Sequence, residues 1–348
     1  MKTRILKIII SLIPVSILIT SCRNADLKAA QEFGAMASEF QNSTSKLAND
    51  IYDSCIRRTK FYPMKDADVR QLQKQEIVNC ELINKPAAQR AKQANQVIVK
   101  YMIGVGNFAS DTNVNFTDSL DAIKNALNNL EIPGIQNAQG QSNKVKLDPT
   151  QVNAGINIVG FFLNLAKQGF QRRSLKEAIL CTDEPVQSYT KGLTSVFQEG
   201  YIDGILMLEQ NRITNYYQDY AALLEPEGGR VQDYMVLEKE YASVLDTVLA
   251  KRDAALSYIG IIAKTSDAHR QLKAIFTKDD KLISKDELAV RCKPYFAQNI
   301  GQQSVSVSVQ YPEKRYQISD DERRQIRAIA LKYSYDVKPL LKKLNKAF

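Results

Sequence analysis

Tryptophan is absent from this chain of 348 residues, histidine occurs once, and glycine and proline number only 15 and 10. Each shortage excludes something. So few turn-formers over this length do not suit the many short strands of a β-sandwich or barrel, and they favour long helices. With His269 as the only histidine, a Ser-His-Asp or Cys-His catalytic arrangement has one residue to draw on. It sits in Asp267-Ala-His-Arg-Gln-Leu272, where a solvated position on a surface helix is expected. Zinc lacks its ligands, because no Cys-x-x-Cys, His-Glu-x-x-His or His/Cys cluster occurs. No basic cluster interleaved with aromatics is present, so nucleic acid is not expected as a partner. There is no repeat of fixed period and no low-complexity tract.

What the chain does have is enough apolar material, 44% of its residues, to build a genuine core. Its net charge of +9 is spread with both signs interspersed, which reads as a solvated surface laced with ion pairs. Five cysteines complete the inventory.

The most specific signal lies at the start. Lys2, Arg4 and Lys7 precede an apolar run from Ile8 to Ile19, and then come Thr20-Ser21-Cys22. That is a charged segment, an apolar segment too short to span as a stop-transfer helix, and small residues before a cleavage point. The segment resembles a bacterial lipoprotein signal, with Ile19-Thr20-Ser21-Cys22 as the lipobox. The resemblance covers residues 1–22 only and implies removal of residues 1–21, lipidation of Cys22 and export to the cell envelope. Arg23 rather than Asp comes after the cysteine, which by the same resemblance favours the outer membrane in a host that has one.

With Cys22 acylated, Cys55, Cys80, Cys181 and Cys292 remain. An even number in an oxidising compartment reads as two disulfides with three possible connectivities. The pairing Cys55–Cys80 with Cys181–Cys292 is favoured because its first bond closes the shortest loop. A simple helical hairpin turning near Tyr62-Pro63 would offset those first two sulfurs by ~15 Å, so the connection has to absorb the difference.

Helical periods dominate the rest. Residues 27–58 place Phe33, Met36, Phe40, Leu47, Ile51 and Cys55 on one stripe, and Asp66 or Asp68 caps a second helix. Pro86 marks a boundary or kink before another stripe from Ala88 to Val105. A short helix carries Leu120, Ile123, Leu127 and Leu130 and is stopped by Pro133-Gly134. Residues 136–147 read as a linker, and Asp148-Pro149 opens a helix reaching about Leu180. Glu184-Pro185 starts the next, to about Leu224. After a turn at Pro226-Glu-Gly-Gly229, a long helix from Val231 to about Lys264 packs back as an antiparallel hairpin. Asp267 to Thr277 is expected to be helical again. Ser284-x-x-Glu287 and Ser319-x-x-Glu322 are capping boxes, the latter before a C-terminal helix kinked at Pro339. Only Ser304 to Tyr311 alternates as a strand, which either pairs with Lys144 to Leu147 or offers an edge to another molecule.

The expected architecture is mainly α, with long antiparallel helices forming a bundle and at most a small β element near residues 304–311. The expected division is a signal peptide at 1–21, an N-terminal helical domain at 22–135, a linker at 136–147 and a long-helix domain at 148–348.

Other constellations are weak. Gly104-Val-Gly106-Asn-Phe-Ala109 mimics a dinucleotide fingerprint without a βαβ unit around it. The apolar stretch from Gly155 to Phe170 reads as a core helix, with a membrane-inserting tongue as its rival. Asp279-Asp280 and Asp320-Asp321-Glu322 read as turn and helix-start charges rather than a carboxylate site. Tyr216, Tyr217 and Tyr220 read as core with their hydroxyls reaching the surface. No catalytic, cofactor-binding or metal-binding residue is assigned, and no cofactor is expected. The reading these residues support is a non-enzymatic helical scaffold, adaptor or binding module, tethered to the membrane through Cys22 and facing another envelope protein. The alternatives are an extracytoplasmic enzyme with a carboxylate-based site and a membrane-perturbing helical protein.

Overall fold

A computed structural model describes residues 17–62, 68–110, 120–136, 142–167, 174–224, 230–278 and 318–348, together with six helical residues between 286 and 296. The protein is mainly α-helical, with long helices bundled around one hydrophobic cluster. Helix α1 (Ile17–Arg58) buries Met36, Phe40, Leu47, Ile51 and Cys55, as their spacing of four or seven residues requires. A second rod runs through α2 (Val69–Asn79), a π-helical turn (Cys80–Asn84) and α3 (Lys85–Ser110). It lies antiparallel to α1, with Asn84 donating to the Ile51 carbonyl and Asn95 to that of Thr44. The π turn ends two residues before Pro86. That ring has no N–H to donate and would crowd the carbonyl four residues back, so a widened turn carries the chain through without breaking the rod.

Both disulfides form, Cys55 with Cys80 and Cys181 with Cys292. The expected offset of the first pair vanishes for a definite reason. Helix α2 lies beyond the C-terminal end of α1, where Arg58 reaches Glu76, and the rod packs along α1 from Cys80 onward, opposite Cys55.

The β element among the described residues lies away from the one the sequence suggests. After α4 (Leu120–Asn128), strands β1 (Glu131–Gln136) and β2 (Ser142–Lys146) form an antiparallel hairpin. Residues 142–146, expected as linker, are thus a strand, and Pro133-Gly134, expected as a helix stop, lies inside one. The segment 304–311 lies outside the described residues, as do Ser284, Glu287, Asp279 and Asp280. The hairpin is tethered by depth rather than length. Ile132 and Leu147 are buried, and the β1 backbone seats on Gly200 and Gly204 of a π-helical segment (Val196–Leu206). A Cβ at Gly204 would meet the Pro133 carbonyl oxygen at 2.5 Å, so only glycine admits the strand. An isolated two-stranded hairpin is marginal in water, and this seat supplies what it lacks.

Helix α5 (Pro149–Lys167) begins where the sequence indicates. The Asp148 carboxylate accepts from the Gln151 backbone N–H at 2.8 Å, while Gln151 Oε1 accepts from the Asp148 N–H at 3.0 Å. It ends earlier than expected, and α6 (Ser174–Ser195) carries Pro185 in its interior rather than at its start. Through the π-helical segment, α6 continues into α7 (Met207–Leu224). Helix α8 (Val231–Thr277) then runs antiparallel to that rod without a break, pairing Thr214 with Tyr241 near the turn and Gln187 with Ser266 far from it. Helix α9 (Asp320–Lys346), capped by the Ser319–Glu322 box, packs antiparallel on α8 and also touches α1. Buried residues on both sides of 136–147 belong to the same cluster. Among the described residues no helix is long and apolar enough to cross a membrane.

Candidate functional site

Several polar side chains are more buried than their chemistry favours, and they gather in two places. The first lies where α1, α7, α8 and the π-helical segment meet. Asp50, Ser54 and Arg57 share one face of α1 through spacings of four and three. Arg57 grips two carboxylates at once. Nη1 and Nη2 donate to Asp50 at 2.7 and 3.0 Å, while Nε and Nη2 donate to Glu209 at 2.7 and 2.9 Å. Lys251 Nζ donates to Asp50 Oδ1 at 2.7 Å, the Tyr201 hydroxyl to Asp50 Oδ2 at 2.7 Å, and the Ser54 hydroxyl to Glu209 Oε2 at 2.5 Å.

Two cations thus balance two anions, and every carboxylate oxygen accepts at least one hydrogen bond. Burial alone would raise the Asp50 carboxyl, but the forked bond and charge of Arg57, helped by Lys251, outweigh it and hold that group below the usual carboxylate range. Asp53, next to the cluster, moves the other way, raised by burial and by the Asp50 charge. A general acid or base works best when it titrates near the operating pH and can be reached. Asp50 does neither, and the cluster acts as an electrostatic knot between helices.

The second place surrounds His269. The histidine expected on the surface is fully buried. Its Nε2 donates to the Ile179 carbonyl at 3.1 Å, which leaves Nδ1 to accept from the Tyr101 hydroxyl at 2.7 Å. Asp183 Oδ1 stands 3.7 Å from Nε2 with no hydrogen-bond partner of its own among the described residues, while its other oxygen takes Lys273 at 2.5 Å. Burial pushes His269 down to about 4, with the nearby Asp183 charge opposing this only in part.

This burial makes stability depend on pH. Because the folded value lies below the ordinary 6.5, the unfolded chain binds more protons between these limits. The contribution is therefore fully present above pH 6.5 and is lost as pH falls toward 4, by about 3 kcal/mol in all. Urea unfolding of the wild type across this window should show that loss, and His269→Gln should flatten it. An unchanged slope in the variant would show that another group titrates there.

The Gly104–Ala109 segment is helical within α3, and Gly104 is the point where Phe162 packs closest. The apolar Gly155 stretch is buried in α5, with Phe161 and Phe162 nearly inaccessible. Tyr217 is buried against Tyr241, Tyr216 is half-buried and Tyr220 is exposed. Asp320, Asp321 and Glu322 form the first turn of α9, paired with Arg323, Arg324 and the Ser319 backbone. Among the described residues no group of three or more His, Cys, Asp or Glu is placed to hold a metal ion. Cys22 falls within the helical backbone of α1.

Neither cluster is evident from sequence periodicity alone, yet the first left a trace. Glu209 comes after Ile202, Ile205 and Leu206 and precedes Ile213 on a buried face, and Lys251 sits between Val248 and Ala255. A charge at a position whose helical period calls for an apolar residue marks a buried partner elsewhere. No known family, curated protein or solved structure matches the chain.

Proposed function

We propose that this chain is a lipid-anchored protein of the bacterial cell envelope, held by acyl groups on Cys22, and that it works as a non-enzymatic helical scaffold or adaptor. The observation that favours a scaffold is the closure of the buried ionic knot. Asp50, Arg57, Glu209 and Lys251 spend their charges on one another, between helices that meet from distant parts of the chain. A groove of about 40 Å³ between α8 and α9, lined by Lys264, Asp267, Lys332 and Asp336, is far smaller than the clefts that bury small substrates. Long helical faces are the means of contact that this reading assigns.

The anchor suits this role. Over the 14 residues from Cys22 to Met36 the helical backbone of α1 rises ~20 Å. Outer-membrane placement rests on Arg23 under the same reading, and the partner is another envelope protein rather than nucleic acid.

Cys22→Ser tests the anchor. The wild-type chain should incorporate labelled fatty acid and run as the shorter form, whereas the variant should accumulate as an unlabelled precursor. An acylated, processed Cys22→Ser product would sink the proposal.

A further inference from the structure

Helix α8 carries two apolar stripes, and only one has a partner among the described residues. The first passes through Leu237, Val248, Ala255, Tyr258 and Ile262 and is buried. The second lies about a third of a turn away, at Val231, Met235, Ala242, Leu245, Leu249 and Leu256. Glu238 and Arg252 complete its spacing of four, three, four, three, four, three and four, the period of a coiled-coil seam. Most of this stripe faces solvent, with Val231 76% exposed, Met235 67% and Leu256 44%, while Leu245 is half-buried. Isolated exposed apolar residues need no explanation, but a row over seven turns with only two polar interruptions does.

The same side of α8 is covered farther along. Helix α9 packs there from Gly260, which lies under Leu340, to Gln271 beside Ile329 and Lys332. The C-terminal Phe348 reaches only to Lys251. From about residue 250 back to Val231, no helix among the described residues fills the groove that α9 fills elsewhere.

We infer that the open stripe is covered by the α8 helix of a second copy, running antiparallel about a two-fold axis near Leu245. Charge decides the occupant and its direction. In an antiparallel pair, Glu238 of each copy comes within about one helical turn of Arg252 of the other, so the two polar interruptions neutralise each other twice. A parallel pair would set Glu238 against Glu238 and Arg252 against Arg252. The ends agree as well. Asp233 at the tip of α8 arrives beside the C-terminal end of the other copy's α9, where Lys342, Lys343 and Lys346 are exposed. The interface is isologous and therefore closes at two copies. It does not depend on lipidation and stands or falls apart from the anchor.

The test is sedimentation velocity of the purified chain over a concentration series, with far-UV circular dichroism as the folding control. The wild type should dimerise. Glu238→Arg and Arg252→Glu should each weaken the dimer by roughly tenfold or more, and the double reversal should restore it, because the charges then meet again with signs exchanged. Leu245→Cys, close to the axis, should form a disulfide between copies under mild oxidation, whereas Met235→Cys should not. A wild type that stays monomeric, a double reversal no better than either single change, or self-crosslinking of Met235→Cys would overturn the inference.

Discussion

Arg57→Ala is expected to lower the free energy of unfolding by about 3–5 kcal/mol, the range for removing one partner of a buried ionic pair. The guanidinium lost touches both Asp50 and Glu209, whose side chains are 3% and 2% exposed. Lys251 remains for Asp50, but Glu209 is left with the Ser54 hydroxyl against a full negative charge. Neutralising that charge should therefore recover stability. The double variant Arg57→Ala/Glu209→Gln should be more stable than Arg57→Ala alone, a coupling that a loss of packing would not produce. Lys85→Ala serves as the contrast, because its pair with Glu81 stands in solvent, where screening and side-chain entropy leave an ion pair with little net effect. Chemical denaturation with midpoint and slope fitted separately reads all three. A cost for Arg57→Ala no larger than that for Lys85→Ala would show that the knot contributes nothing net.

Removal of the Cys181–Cys292 disulfide should cost about 4.8 kcal/mol from loop closure across a separation of 111 residues. The Cys55–Cys80 bond, which closes 25 residues, should be worth about 3.5 kcal/mol by the same argument. Local geometry points the same way. Cys55 and Cys80 lie on rods already packed together, so α1 and α3 stay in contact without the bond. Cys292 belongs to a short helical stretch held otherwise by contacts such as Phe296 on Phe161. Paired cysteine-to-alanine variants, unfolded in urea without reductant, should rank in that order, and alkylation of the native wild type should find none of the four thiols free. The reverse ranking, or a reactive thiol at any of these positions, would refute the assignment.

The helices were legible because their causes are local. The stripe of α1, the Asp148 cap, the Ser319–Glu322 box and the antiparallel return of α8 rest on periods and capping chemistry within a few residues. His269 shows how such reading fails. Taken with Asp267-Ala-His-Arg it resembles a surface residue, but traced along α8 it stands four residues after Thr265 and three before Leu272, both buried. Dividing one helix into two concealed the period. The β hairpin was hidden for another reason. Pro133-Gly134 is a turn signal by local rules, and only Gly200 and Gly204, some seventy residues later, provide the surface on which it becomes a strand.

The sequence by itself determined that the chain is helical and which faces of its helices are apolar. Tertiary structure decided what the charged and titratable groups do. Asp50 meets Glu209 through Arg57 and meets Lys251 directly across 201 residues, and His269 meets Tyr101 across 168. The physical reason is one of range. Helix formation depends on neighbours within a turn or two, whereas the energy of a buried charge depends on which distant group the packed core brings within ~3 Å of it.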